Sequence, residues 1–258
     1  MFSGAGVAIV TPFKDGAVDL DSYGKLVDFQ LNNRIQAIIV LGTTGEASTL
    51  TSDERDAMIR LTVEKAGGKV PVIVGAGSNN TAVAQKYAKH AEELGADGVL
   101  VVTPYYNKCT QNGLVAHFEA VADQTNLPVI LYNVPGRTGV NIEPATIARL
   151  AQVKNIIGVK EASGNLSHVL ETKRLVPKDF MIWSGNDDNI LPIYSVGGHG
   201  VISVMANMIP AKTQDLCEAF MTGRIQEAID IQVETKKLFN LLFCEVNPIP
   251  IKAALFLM

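Results

Sequence analysis

Eight short apolar runs, rich in Val and Ile, recur along the chain, each followed by a longer amphipathic segment. This alternation restricts the fold more than any other feature. The runs are Gly6–Val10, Ala37–Leu41, Val72–Gly75, Val99–Val102, Val129–Tyr132, Ile156–Lys160, Met181–Ser184 and Val201–Val204. Apolar residues follow one another in them instead of alternating with polar ones, as in parallel strands covered on both faces. Helical patterns lie between them, over Leu20–Asn33, Ser52–Glu64, Thr81–Leu94, Gly113–Gln124, Glu143–Ala151, Ser167–Leu175, Asp188–Val196 and Ala211–Met221. Ser52, ahead of Asp53 and Glu54, reads as an N-cap. Eight βα units in succession predict a TIM (β/α)8 barrel. A doubly wound open sheet uses the same units, but the pattern does not change midway, which favours the barrel. The expected division is a catalytic barrel over 1–222 and a C-terminal helical segment over 223–258, with a further helical pattern over Arg224–Phe243.

Composition excludes several classes. In 258 residues, 47% are hydrophobic and 19% charged, and a net charge of −4 is spread along the chain. That gives neither a nucleic-acid stripe nor a polybasic membrane patch. Met1–Phe13 lacks a basic n-region, so no signal peptide is expected, and no run approaches the ~18 apolar residues of a membrane span. Cys109, Cys217 and Cys244 are odd in number and widely spaced, which fits a reducing cytoplasm. His90, His117, His168 and His199 show no metal-binding spacing, so no metal is expected.

In a barrel of this kind the loops that follow the strands form the reactive face. Here those loops are GTTGE (Gly42–Glu46), GAGSNN (Gly75–Asn80), TPYYN (Thr103–Asn107), NVPGRTG (Asn133–Gly139), KEASGN (Lys160–Asn165), SGNDDN (Ser184–Asn189) and SVMAN (Ser203–Asn207). Hydroxyls, amides and small residues gather on that side. GAGSNN lacks the third glycine of a dinucleotide fingerprint, and GGHG (Gly197–Gly200) precedes its strand and reads as a tight turn.

Lys160 ends the sixth run on this face. Alternation places it on one face with Gly158 and Ile156. If that face is the barrel interior, burial disfavours the ammonium and a neutral amine can attack a carbonyl. A solvated strand-end lysine beside Glu161 is the competing reading. Tyr132 ends the fifth run, Thr43 and Thr44 follow the second, and Tyr105 and Tyr106 follow the fourth. Hydroxyls grouped around one amine can relay the protons that Schiff-base chemistry moves. Arg137 is suited to holding a substrate carboxylate bidentately, and a surface arginine fits the position equally well.

Taken in order, GTTGE, TPYYN, YNVPGRTG and GVKEASGN resemble the 4-hydroxy-tetrahydrodipicolinate synthases. These belong to the pyruvate-dependent class I aldolases, which include N-acetylneuraminate lyase. The resemblance spans essentially the whole chain, with Arg137 the residue that separates the synthases from the sugar-acid lyases. It implies a lyase acting on pyruvate and L-aspartate 4-semialdehyde, with a covalent pyruvate imine on Lys160 and no separate cofactor. It implies a proton relay of Tyr132, Thr43 and Tyr106, with Tyr106 reaching a neighbouring subunit's site. By the same resemblance Arg137 binds the semialdehyde carboxylate, Thr44 binds the pyruvate carboxylate, and Gly185 and Ile202 shape the pocket. A homo-oligomer follows, at least a dimer and commonly a tetramer. The alternatives are a related aldolase for N-acetylneuraminate or a 2-keto-3-deoxy sugar acid, or a non-catalytic small-molecule-binding barrel.

Two departures stand out. The allosteric lysine site of some relatives matches Ser48, Ser52, Arg55, Asn79, Val83 and Tyr105 here. Val83 stands where the family has a glutamate, and Ser52 and Arg55 replace histidine or bulky rings, so lysine feedback is expected to be weak or absent. The sequence also ends soon after NPIPIK, where relatives continue, which implies altered tetramer packing.

Overall fold

The computed structural model describes residues 1–258. Eight parallel strands close into a barrel: β1 Gly4–Ala8, β2 Ala37–Val40, β3 Val72–Gly75, β4 Gly98–Val102, β5 Val129–Asn133, β6 Ile156–Glu161, β7 Met181–Ser184 and β8 Gly200–Ser203. β1 pairs with both β2 and β8, which completes the ring. The helices are α1 Leu20–Asn32, α2 Ser52–Ala66, α3 Thr81–Glu93, α4 Gln111–Ala122, the short α5 Pro135–Thr138, α6 Pro144–Leu150, α7 Leu166–Leu175, α8 Ile190–Ser195, α9 Pro210–Met221, α10 Ile225–Leu242 and α11 Ile249–Leu257. No helix is long and apolar enough to cross a membrane.

The continuous apolar runs are explained by two cores back to back. In β2, Ala37 and Ile39 point into the barrel while Ile38 and Val40 pack under the helices. Ile73, Leu100, Ile130, Trp183 and Ile202 fill the interior with them. Each strand therefore needs apolar residues on both faces.

The interior departs from simple alternation in β6. Val129 pairs with Ile156 but Ile130 pairs with Gly158, so Ile157 is an extra residue in the ladder. This bulge places Ile156 in the outer core and turns Ile157 toward the inner one. Lys160 thus shares the inner face with Gly158, and the expectation that Ile156 lies there as well is corrected. A Cβ on Gly158 would lie 2.4 Å from Met181 O and 2.8 Å from Trp183, so only glycine fits beneath the lysine.

Other boundaries shift for local reasons. α2 is capped by Thr51, not Ser52: Thr51 Oγ1 accepts from Glu54 N (3.3 Å) and Glu54 Oε2 accepts from Thr51 N (2.9 Å). β1 starts two residues earlier than the apolar run, where Gly4 pairs with Gly200, and ends two residues earlier because Asn207 takes over beyond it. Its Oδ1 accepts from Val10 N (3.1 Å) and its Nδ2 donates to Ala8 O (2.9 Å). The pattern over 188–196 divides into a 3-10 turn, Asp187–Asn189, and α8. Pro192 has no N–H to bond back to residue 188, so no α-turn can form there. A small antiparallel ribbon, Phe13–Lys14 with Ala17–Val18, turns through Asp15 and Gly16 at φ 52° and 82°. That Asp-Gly pair is a strong hairpin signal.

α10 and α11 return to the reactive end of the barrel. Leu242 and Ile251 pack there with Val10, Val204 and Met205, all beyond strand ends, in a small third core. This folding-back delivers Asn247 to the barrel mouth.

Candidate active site

β5 and β6 set the centre of the site. Their register pairs Tyr132 with Lys160, and both point inward. The Lys160 Nζ lies 4.3 Å from the centroid of the Tyr132 ring. Lys160 is 6% exposed and Tyr132 8%. Burial lowers the Lys160 pKa to about 8; the Asp187 carboxylate opposes the shift and the Arg137 guanidinium adds to it. Burial raises the Tyr132 phenol to about 12, against Arg137 and the Thr43 hydroxyl. The amine thus gives up its proton more easily than an ordinary lysine, while the phenol keeps its proton to donate. The reading of Lys160 as a solvated strand-end lysine is excluded by its burial.

A cavity of about 50 Å³ surrounds the amine, lined by Thr43, Thr44, Tyr132, Arg137, Lys160 and Gly185 among others. It shares Gly42, Thr43, Leu100, Tyr132, Val134 and Arg137 with a wider groove of about 830 Å³. The groove gives the small chamber a vestibule.

The other sequence-predicted residues divide between chamber and surroundings. Thr44 is buried and its Oγ1 accepts from Asn247 Nδ2 (2.9 Å). Arg137, in α5, is exposed at the chamber rim and donates from Nη2 to Asn247 O (3.2 Å). Gly185 is needed for space: a Cβ there would lie 2.7 Å from Ala162 Cβ and 3.1 Å from Lys160 Cε. Ile202 is fully buried in the inner core and does not line the chamber, so it acts on the pocket only through packing; Val204, two residues on, supplies the wall. Tyr106 is the residue the fold leaves outside. It is 90% exposed, at φ 70°, and lines the wide groove but not the chamber.

Three groups that line the chamber or act on its amine were not singled out from the sequence. Asp187 is 2% exposed, and its Oδ2 accepts from Val204 N (3.1 Å) and Met205 N (2.9 Å). Its carboxyl is pushed up by burial, yet it still attracts the Lys160 ammonium. The acidic pair in SGNDDN was the available signal. Asn247 joins Thr44 and Arg137 from across the chain, and Phe243 lines the chamber from the end of α10. Nothing local in NPIP announces that.

Comparison with known proteins agrees with this geometry. The model of the dihydrodipicolinate synthetase family matches residues 1–258. The 4-hydroxy-tetrahydrodipicolinate synthase of Alkaliphilus oremlandii is 63% identical over 98% of this chain and 88% of its own. The crystal structure of dihydrodipicolinate synthase from Thermotoga maritima superposes with a TM-score of 0.98 at 49% identity, covering 100% of this chain and 88% of that one. A dihydrodipicolinate synthase variant described as monomeric also superposes at 0.98 with 49% identity, over 99% and 87% of the two chains. A closed barrel with a buried strand-end lysine, matched along its whole length by one family at high identity, leaves a single assignment: the chain belongs to the dihydrodipicolinate synthetase family.

Proposed function

We infer that this chain is a class I aldolase-type lyase, a 4-hydroxy-tetrahydrodipicolinate synthase. It condenses pyruvate with L-aspartate 4-semialdehyde in the route to diaminopimelate and lysine. The observation that carries the chemistry is the buried Lys160 amine, drawn to a pKa of about 8 and held over the Tyr132 ring.

In this reading the neutral Lys160 amine adds to C2 of pyruvate, and the carbinolamine loses water to give an imine. Loss of a C3 proton gives the enamine, whose C3 forms the new carbon–carbon bond with the semialdehyde carbon. The amino group of the condensed product then adds to C2 and expels Lys160 as a free amine, closing the ring. Tyr132, with Thr43 beside it, is suited to deliver and retrieve the protons, since its phenol stays protonated across neutral pH. Thr44 is assigned to the pyruvate carboxylate and Arg137 to that of the semialdehyde, the latter supported by its place at the rim. Gly185 leaves room beside the lysine stem. Tyr106, fully outside its own chamber, is assigned to the site of a second copy, which makes the working form at least a dimer. No separate cofactor enters this scheme.

Incubation with pyruvate and borohydride, followed by peptide mass spectrometry, is expected to place a pyruvate-derived adduct on Lys160. Turnover of aspartate semialdehyde, and not of N-acetylneuraminate, separates the synthase from its sugar-acid relatives. A folded protein without the adduct would overturn the assignment.

A further inference from the structure

The outer face of β5 and β6 carries a second pair directly behind the reactive one. The register that sets Tyr132 against Lys160 also sets Asn133 against Glu161. Side chains alternate, so this pair points away from the chamber, beneath the helices. Asn133 is 0% exposed and Glu161 3%. A carboxylate buried there is costly unless its oxygens are satisfied.

They are satisfied by groups at the ends of the functional segments. Glu161 Oε2 accepts from Asn133 Nδ2 (2.9 Å), and Oε1 accepts from Ser163 N (2.7 Å). His168 Nε2 stands 3.5 Å from Oε2. Burial pushes the Glu161 carboxyl up, but the nearby His168 imidazole and the hydrogen bonds from Ser163 and Asn133 outweigh it and hold the group below its usual value, so it stays ionised. Asn133 also donates to Asn141 Oδ1 (2.9 Å) and accepts from Ile142 N (3.0 Å). Those bonds fasten the far end of the segment that carries Arg137. The main chain meets at the same point: Ala162 N donates to Asn133 O (2.8 Å) and Gly185 N to Glu161 O (2.7 Å). Lysine, phenol and guanidinium are therefore all one to four residues from this buried cluster, and the glycine beside the lysine stem is hydrogen-bonded to it.

We propose that Glu161 and Asn133 are positioning residues for the reaction. Their buried hydrogen bond locks the ends of β5 and β6 in the register that sets the Lys160 amine over Tyr132, and anchors the Arg137 segment to the same point. Neither touches substrate. The proposal rests on Lys160 being the Schiff-base nucleophile. It differs from a charge effect, because the charged groups that act on the amine are Asp187 and Arg137.

The test is the rate of pyruvate trapping by borohydride across pH for the full chain, Glu161→Gln and Asn133→Ser, with melting curves alongside. Glu161→Gln keeps the shape but sets its N–H₂ against a donor in either orientation, the Asn133 amide or Ser163 N–H. Asn133→Ser removes the partner without removing charge, and it carries the test alone if the first variant fails to fold. Expected in both is a plateau rate about 10–100-fold lower, as for a misplaced reacting group. The pH midpoint should also move up from about 8 toward 10.5, as looser strand ends admit water to the amine. A downward midpoint in Glu161→Gln with none in Asn133→Ser would mean that the carboxylate acts by charge, and would overturn the proposal. Lower melting temperatures with unchanged rates and midpoints would reduce the pair to a structural one. Failure of the unaltered protein to form any adduct would overturn the functional reading itself, and is read from the control.

Discussion

The Lys160 nitrogen sits 4.3 Å above the centre of the Tyr132 ring, on the neighbouring strand. Burial destabilises the ammonium, the Asp187 carboxylate opposes the shift and the Arg137 guanidinium adds to it, which leaves the pKa at about 8.

The rate of imine formation is therefore expected to rise with pH through about 8 and level off above it, because only the neutral amine attacks. Single-turnover trapping at a series of pH values measures the midpoint. A midpoint near 10.5, the ordinary lysine value, would mean that the amine is solvated.

Burying that amine also costs stability. Below pH 8 the native state holds the proton against burial. Between 8 and 10.5 it releases the proton while the unfolded chain keeps it, so stability rises with pH and the cost fades. Lys160→Met should abolish the adduct while stabilising the fold by up to about 3 kcal/mol at neutral pH, from about 1.4 kcal/mol per pKa unit. The gain should shrink toward pH 10.5. Urea denaturation at two pH values checks both the size and the trend.

Tyr132→Phe keeps the ring under the amine and removes the hydroxyl. The expected result is a fall in kcat of about 10²–10⁴-fold, the usual range for a lost acid–base group, with the melting temperature nearly unchanged. Steady-state kinetics and a thermal scan separate these. An equal loss of stability and activity would point to packing instead.

Arg137→Ala separates the two substrates. The KM for aspartate semialdehyde should rise sharply while pyruvate trapping persists. Its pH midpoint should move upward, since the guanidinium helps hold the Lys160 pKa down. Loss of the pyruvate adduct would contradict the assigned role.

Gly185→Ala inserts a methyl group 3.1 Å from Lys160 Cε and 2.7 Å from Ala162 Cβ. Overpacking of this kind costs about 1–3 kcal/mol. The displaced lysine stem should also lower adduct yield. Denaturation and trapping on the same sample show whether the two losses occur together.

L-lysine should bind weakly or not at all. Arg55 lies in the wide groove, 4.1 Å over the Tyr87 ring, and donates to Ala47 O (3.1 Å) and Gly75 O (3.4 Å). A fixed guanidinium repels an ammonium, and Val83 offers no carboxylate to offset it. Calorimetric titration that gave micromolar affinity would sink this expectation.

The sequence by itself determined the barrel, because parallel strands buried on both faces require the continuous Val and Ile runs seen at Ala37–Val40 and Val129–Asn133. It also placed Lys160, Tyr132, Thr44 and Gly185 at one end of the barrel, since the fold puts every loop that follows a strand at the same end. Tertiary structure decided what local patterns cannot hold. The bulge at Ile157 set which face Lys160 occupies, because a one-residue slip reverses the alternation. The return of the C-terminal helices brought Asn247 to Thr44 and Arg137 across more than a hundred residues of chain. Burial made Asp187 and Glu161 meaningful, for a carboxylate's effect depends on the solvent it has lost and the partners it has gained. Ile202 shows the same limit from the other side. A side chain two positions from a cavity wall reads in sequence like one that faces the cavity.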